Sequence, residues 1–220
     1  MLLGIRLTSL ILIGSFLSGC LSTTVIDEYR ENTASTTLLE GETIVVLGRR
    51  NSASYETEFD FVECVGRSLD SSIRGIEVIP ETSFLDSMYP YFETSKAPMD
   101  VRNLDSLVQI PEVAQKLDDL RVRYFVWIDG FTETTDSTGA ISCTVAPSGA
   151  GCFGFASWDD EANYEAVIWD FKDLNLAGKI SAESSGTSYL PAVIVPIPLL
   201  ARVQANACSS MASQIRSFIQ

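Results

Sequence analysis

The chain has 220 residues, a formal charge of −14, a pI near 4.3 and no histidine. That acidity argues against nucleic acid as a partner and against a domain surface drawn to anionic head groups, because both demand basic patches. Without histidine the commonest general base and metal ligand are gone, which removes most catalytic triads and most catalytic zinc sites. No cofactor and no metal are expected.

In chain order, residues 1–20 read MLLGIRLTSLILIGSFLSGC. One cation, Arg6, precedes an apolar run from Leu7 to Leu17 that is too short to span a bilayer and fits the core of a secretory signal. The segment Leu17-Ser18-Gly19-Cys20 resembles the bacterial lipobox. In that family the signal is cut before the cysteine and the thiol carries a diacylglycerol, so the resemblance implies removal of residues 1–19 and lipidation of Cys20. Two or three acyl chains anchor a protein stably. Leu21, rather than an aspartate, follows the cysteine, and by analogy with enterobacterial sorting this points to the outer membrane, facing the periplasm. Residues 20–40 are rich in Ser, Thr and charge and read as a flexible tether reaching about 25 Å.

Residues 41–220 are expected to form a single α/β domain. Thr43–Gly48 is a buried strand. A helix over 57–74 should place Phe59, Val62, Val65, Leu69 and Ile73 on one face, with Thr57 or Ser54 as its cap and Gly75 as its stop. Ile76–Ile79 is a second strand, completing a β-α-β unit with parallel pairing. Residues 81–102 are mixed, and 103–121 are helical in two pieces split before Pro111. Val122–Gly130 is the clearest strand in the chain. Antiparallel hairpins follow residue 130: strand-like stretches around a Gly/Ser loop, an alternating strand at 164–172, a turn at 175–178 and a strand at 179–189. A helix over 199–219 closes the chain. The outline is an α/β sandwich around one mixed sheet, parallel in its N-terminal half and antiparallel after residue 130.

This order of elements, over residues 43–219, resembles the small envelope lipoprotein domains of the curli-secretion and penicillin-binding-protein-activator type, which share a fold with the N-terminal domain of the Tol-system propeller protein. The stretches VRYFVWIDG and SCTVAPSGAGCFGF are similar to uncharacterised proteobacterial lipoproteins. The resemblance implies a fold and a compartment and carries no functional residue.

With Cys20 assigned to lipid, Cys64, Cys143, Cys152 and Cys208 remain, and an even number in an oxidising compartment reads as two disulfides. Three connectivities exist. Cys143–Cys152 would clamp a glycine-rich hairpin, and Cys64–Cys208 would tie the first helix to the last, since both lie at the edge of an apolar stripe. Ser148 lacks the first glycine of G-x-S-x-G and any histidine to activate it, so it reads as a turn residue. Asp118-Asp119 and Asp159-Asp160-Glu161 match no calcium loop and read as solvated turns. Tyr89, Tyr91 and Phe92 form an aromatic cluster, a candidate grip on a partner weighed against a cover for the core. Leu190–Leu200 is apolar and proline-rich and reads as a buried crossover into the last helix, the alternative being an oligomer interface or docking patch.

The function expected from these readings is a non-enzymatic accessory or scaffold in envelope assembly, binding an unidentified periplasmic protein. A homo-oligomeric subunit of a secretion or export assembly is the alternative. A histidine-free carboxylate hydrolase ranks last.

Overall fold

The computed structural model describes residues 22–31, 37–52, 55–70, 76–92, 101–147 and 149–220. The lipobox with Cys20, and Ser54, Ile73, Gly75 and Ser148, lie outside them. The elements are β1 (Thr23–Arg30), β2 (Thr43–Gly48), β3 (Arg50–Ser52), β4 (Tyr55–Glu56), α1 (Phe59–Asp70), β5 (Glu77–Ile79), α2 (Glu81–Met88), α3 (Val101–Val108), α4 (Pro111–Asp119), β6 (Val122–Ala146), β7 (Gly149–Asp170), β8 (Asn175–Pro196) and α5 (Val203–Ile219). The fold is α/β, with one mixed six-stranded sheet in the order β1-β8-β7-β6-β2-β5. The residues fall into two compact units, and β6, β7 and β8 contribute residues to both.

The larger unit comprises residues 24–131, 162–183 and 204–220. Its centre is β2, six consecutive buried residues, which pairs in parallel with β5 on one side and with β6 on the other. A strand buried on both faces carries apolar side chains in both directions, which is why TIVVLG lacks alternation. On one face Val45, Leu47, Phe125, Trp127, Val167 and Trp169 pack with Phe84, Met88, Leu104, Val113 and Leu117 of α2, α3 and α4. Residues of the opposite parity face the other way. There Phe61 of α1 stacks on Tyr164, with ring centroids 3.4 Å apart, and Gln204 of α5 donates to Glu58 at 2.9 Å. Helices thus cover both faces, as an α/β sandwich requires.

Local chemistry sets the helix limits. Pro111 occupies the first turn of α4, where its missing N–H costs nothing. Asp60 and Arg67 stand at the first and last turns of α1, each of the sign the helix dipole favours. Two expectations for α1 fail. Phe59 is exposed because the helix begins with it, and the buried stripe is Phe61, Val62, Val65 and Leu69. Thr57 caps nothing; its hydroxyl donates to the carbonyls of Arg49 and Ile128 at 3.0 and 3.1 Å, fastening the chain ahead of the helix to the residue after β2 and to the interior of β6.

Within the expected tether over 20–40, Thr23–Arg30 form β1, a strand at the edge of the sheet. Thr24 and Ile26 are half-buried while Asp27, Glu28 and Arg30 line the exposed edge, a charge placement that discourages edge-to-edge pairing. Arg30 lies 4.3 Å above the Phe218 ring and donates to the Phe218 carbonyl at 3.1 Å. Gly178 permits this, because any side chain there would collide with the Tyr29 carbonyl and the Phe218 ring. The expected turn at 175–178 also moves. The chain reverses at 171–174, where the Asp170 carboxylate accepts the amide N–H groups of Lys172 and Asp173 at 2.9 and 3.1 Å and Leu174 takes a φ of 49°. An Asp that binds the backbone two residues on is a turn starter, so β8 begins at Asn175.

The smaller unit comprises, of the described residues, 22–23, 132–161 and 184–203. It is a β-ribbon. The two-residue connection between β6 and β7 makes them antiparallel. Gly154 takes a φ of 142°, and a Cβ there would collide with the Ala140 carbonyl across the hairpin. Beyond β8 the chain turns back. Tyr189 and Leu199 exchange both backbone hydrogen bonds at 2.8 Å, and the Ala201 amide donates to the Ser188 hydroxyl at 3.0 Å.

Candidate functional surface

Leu190–Leu200 is not a buried crossover. Its first part belongs to β8, Ala192 is buried, and Val193 (76 %), Ile194 (60 %), Val195 (63 %) and Ile197 (61 %) are strongly exposed. Proline explains the misreading: Pro191 and Pro196 argue against a central strand, yet residues 190–196 are the end of β8, and the chain that follows bonds back to it at Tyr189–Leu199 and Pro191–Ile197. Val145, Phe153 and Phe155 of the same unit are exposed as well. Residues 137–158 and 184–201 contain no Asp, Glu, Lys or Arg, although 20 % of the chain is charged. An uncharged stretch with this many exposed large apolar side chains marks a contact surface.

Cys143 and Cys152 face one another across the β6–β7 hairpin and are joined by a disulfide, with Cα atoms 4.0 Å apart. The enclosed loop is short, so the chain-entropy stabilisation is about 2–3 kcal/mol and local in effect. Replacing both cysteines by serine is expected to speed amide exchange over 139–156 by about tenfold or more while leaving 122–128 unchanged. Hydrogen exchange read by mass spectrometry checks this, and equal protection in the two proteins would refute it.

Asp159 and Asp160 do not form a solvated turn; they lie within β7. Asp159 accepts the Thr187 hydroxyl at 2.6 Å, and Asp160 accepts the hydroxyls of Thr134 at 2.7 Å and Ser188 at 3.2 Å. Successive strand residues project to opposite faces, so the two carboxylates do not converge on one atom and Glu161 is exposed. They fasten β7 to its neighbours. Asp118 and Asp119 are exposed at the end of α4. Among the described residues no group of three or more His, Cys, Asp or Glu could hold a metal ion.

The aromatic cluster is split by the fold of the larger unit. Phe92 is core, 5.1 Å from Phe84 and 5.9 Å from Phe125 between centroids, which corrects its place among the candidate partner contacts. Tyr91 is half-buried and Tyr89 is 67 % exposed, so the three residues do not form one exposed aromatic patch. The same unit holds a groove of about 180 Å³ between α1, β5 and α2, floored by Val46, Val62, Val78 and Ile79 and bordered by the exposed Phe59. It lies beside β5, a three-residue strand that ends the sheet. Glu81, buried at the groove, accepts the Gly48 amide at 3.0 Å, so its carboxylate is committed to the backbone of β2.

Sequence reading missed one buried charged site. Asp170, wholly buried, accepts Arg123 at 2.6 Å. Burial pushes the Asp170 carboxyl above its ordinary value, further than the Asp173 amide and the Arg123 guanidinium pull it down. Burial also acts on Glu42, but there the Lys172 ammonium and the Leu39 amide outweigh it and hold the carboxyl below its ordinary value. An arginine and an aspartate 47 residues apart leave no periodic signal.

The second disulfide joins Cys64 of α1 to Cys208 of α5, with Cα atoms 6.2 Å apart. No protein-family model matches the chain, and no curated protein matches it. Among solved structures it is similar to a PelC dodecamer from Paraburkholderia phytofirmans, at 10 % identity and a TM-score of 0.38, and to a variant PelC dodecamer from the same organism, at 9 % and 0.39. Each match covers 90 % of this chain and 99 % of the other. A likeness at that TM-score carries no argument about function.

Proposed function

We propose that the chain is a periplasm-facing lipoprotein of the bacterial outer membrane, anchored through Cys20, and that it serves envelope assembly as a non-enzymatic accessory by binding a periplasmic protein. The observation that carries the binding role is the groove between α1 and α2 beside the terminal strand β5. A terminal strand offers unpaired backbone groups to an added strand, and a neighbouring apolar pocket selects its side chains. The exposed Phe59 on its border suits an anchor contact. The membrane role is supported by Leu17-Ser18-Gly19-Cys20 and the fit of residues 1–19 to a cleaved signal.

Two measurements test it. Intact mass of the membrane-extracted chain should show loss of residues 1–19 and gain of acyl mass on Cys20; an unmodified Cys20 removes the lipoprotein reading. A photo-crosslinker placed at Thr82, exposed on the groove lining, should capture one defined envelope protein, and Phe59→Asp in the same chain should abolish capture. No captured protein would undercut the accessory role. A second reading, an oligomeric export subunit, is favoured by the sheet edge at β5, where a second copy can add a strand. Light scattering after mild detergent extraction separates the two: rings support the export subunit and a monomer rejects it.

A further inference from the structure

We infer that the ribbon of the smaller unit is a second, non-covalent membrane contact, lying in the interface of the bilayer that the lipid anchor occupies. The inference rests on the lipoprotein reading for its anchor. Its geometry comes from the ribbon. A Cβ built on Gly186 of β8 would meet Ser22 at 3.1 Å and Ala201 at 2.9 Å, so Ser22 packs directly on the ribbon. Cys20 lies two residues earlier, a reach of at most about 7 Å. There is no long tether between acyl chains and ribbon; whatever holds Cys20 at a bilayer brings the ribbon to it.

The exposed apolar residues begin at that attachment point. Leu199 is bridged to Tyr189, three residues from Gly186, and the track continues through Ile197, Val195 and Val193. Charge singles out the same strip. In a chain of net −14, residues 137–158 and 184–201 have no charged side chain, so nothing here is repelled by phosphates or needs to be kept in bulk water. With no cations either, the attraction is apolar burial rather than head-group electrostatics. Trp158 is half-buried in the same unit, and Tyr189 lies 5.9 Å from Phe155 between ring centroids; such rings favour the head-group level. Depth follows from the backbone. The ribbon is open, and unpaired strand edges are not tolerated in hydrocarbon, so a single copy rests at the boundary of head groups and acyl chains and does not span.

The test uses the full chain, extracted and reconstituted in phosphatidylcholine vesicles that contain a photoactivatable phosphatidylcholine. Trypsin then isolates residues 180–202, between Lys179 and Arg202, as one peptide. Carbene labelling should concentrate in that peptide at 193–200. The triple variant Val193→Glu, Val195→Glu, Ile197→Glu alters side chains that are already exposed and should lose the label about tenfold with both disulfides intact by mass. Labelling of 180–202 no higher than that of the helical peptide 103–116, or crosslinks from the ribbon to a protein alone, would overturn the inference. Intact mass keeps the two readings apart. An acylated Cys20 with an unlabelled ribbon sinks the ribbon contact alone, whereas a labelled ribbon on a chain lacking acyl mass leaves the contact standing and sinks the anchor.

Discussion

Replacing Cys64 and Cys208 together by alanine is expected to lower stability by about 4–5 kcal/mol. The bridge spans 144 residues of sequence. In the chain-entropy account the cross-link withdraws freedom from the unfolded chain roughly as the logarithm of loop length, which gives about 5 kcal/mol for this loop against about 2–3 for the Cys143–Cys152 loop. The two bridges therefore differ in kind. One restrains the whole larger unit by joining α1 to α5, and the other restrains a hairpin. Cys208 is fully buried and Cys64 half-buried, so alanine adds a small packing loss at the same place. The Arg216 guanidinium donates to the Ser68 carbonyl at 2.5 Å across the same helix pair and survives the substitution, so the helices should still pack. For a chain of this size the expected fall in melting temperature is about 10–20 °C. Thermal unfolding followed by near-ultraviolet circular dichroism checks it, and a fall of under about 3 °C would show that the reduced chain is already restrained by other means.

The parts of this fold that could be read from sequence are those whose pattern is set locally. β2 and the first seven residues of β6 are buried on both faces, so their apolar runs needed no partner to be recognised. The break between α3 and α4 follows from Pro111 alone. The misreadings have a common physical cause, which is a partner distant in sequence. β1 has only Thr24 and Ile26 turned inward, and TTVIDEYR becomes a strand because β8 offers an edge and Phe218 offers a ring to Arg30. Val193–Ile197 carry the apolar content of a buried segment, and nothing in their sequence says that they have no core to enter. Phe92 looks like Tyr89 in a string of aromatics, and only the positions of Phe84 and Phe125 separate them. For the surface, one signal was legible and unused: the charge-free intervals 137–158 and 184–201, which coincide with the ribbon.

Arg123→Met is expected to cost about 3–5 kcal/mol near neutral pH and markedly less in mild acid. Asp170 has no exposure, and its Oδ1 accepts two turn amides while its Oδ2 accepts Arg123. Removing the guanidinium leaves a buried carboxylate whose remaining partners are neutral, with the like charge of Asp173 close by. The dependence on pH follows from the direction of the shift. The Asp170 carboxyl is already raised in the folded chain, so its protonated form is the one folding favours, and its contribution falls as pH rises through the folded value. Loss of Arg123 raises that value further and extends the pH range over which stability is lost. Glu42 acts in the same sense. Its carboxyl is held low partly by Arg123, so its ionised form, present above the ordinary carboxylate range, also loses a favourable charge. Both groups make the deficit grow from about pH 4 to about pH 8. Urea unfolding of both proteins at the two pH values measures it, and a deficit independent of pH would rule out electrostatic coupling as its origin. The double variant Arg123→Met, Asp170→Asn supplies the internal control. With the buried charge gone, the arginine has nothing left to neutralise, so the double variant should cost less than the sum of its parts, by about 1–3 kcal/mol of coupling. Additive costs would mean that Arg123 matters only for the volume its stem fills beneath the turn.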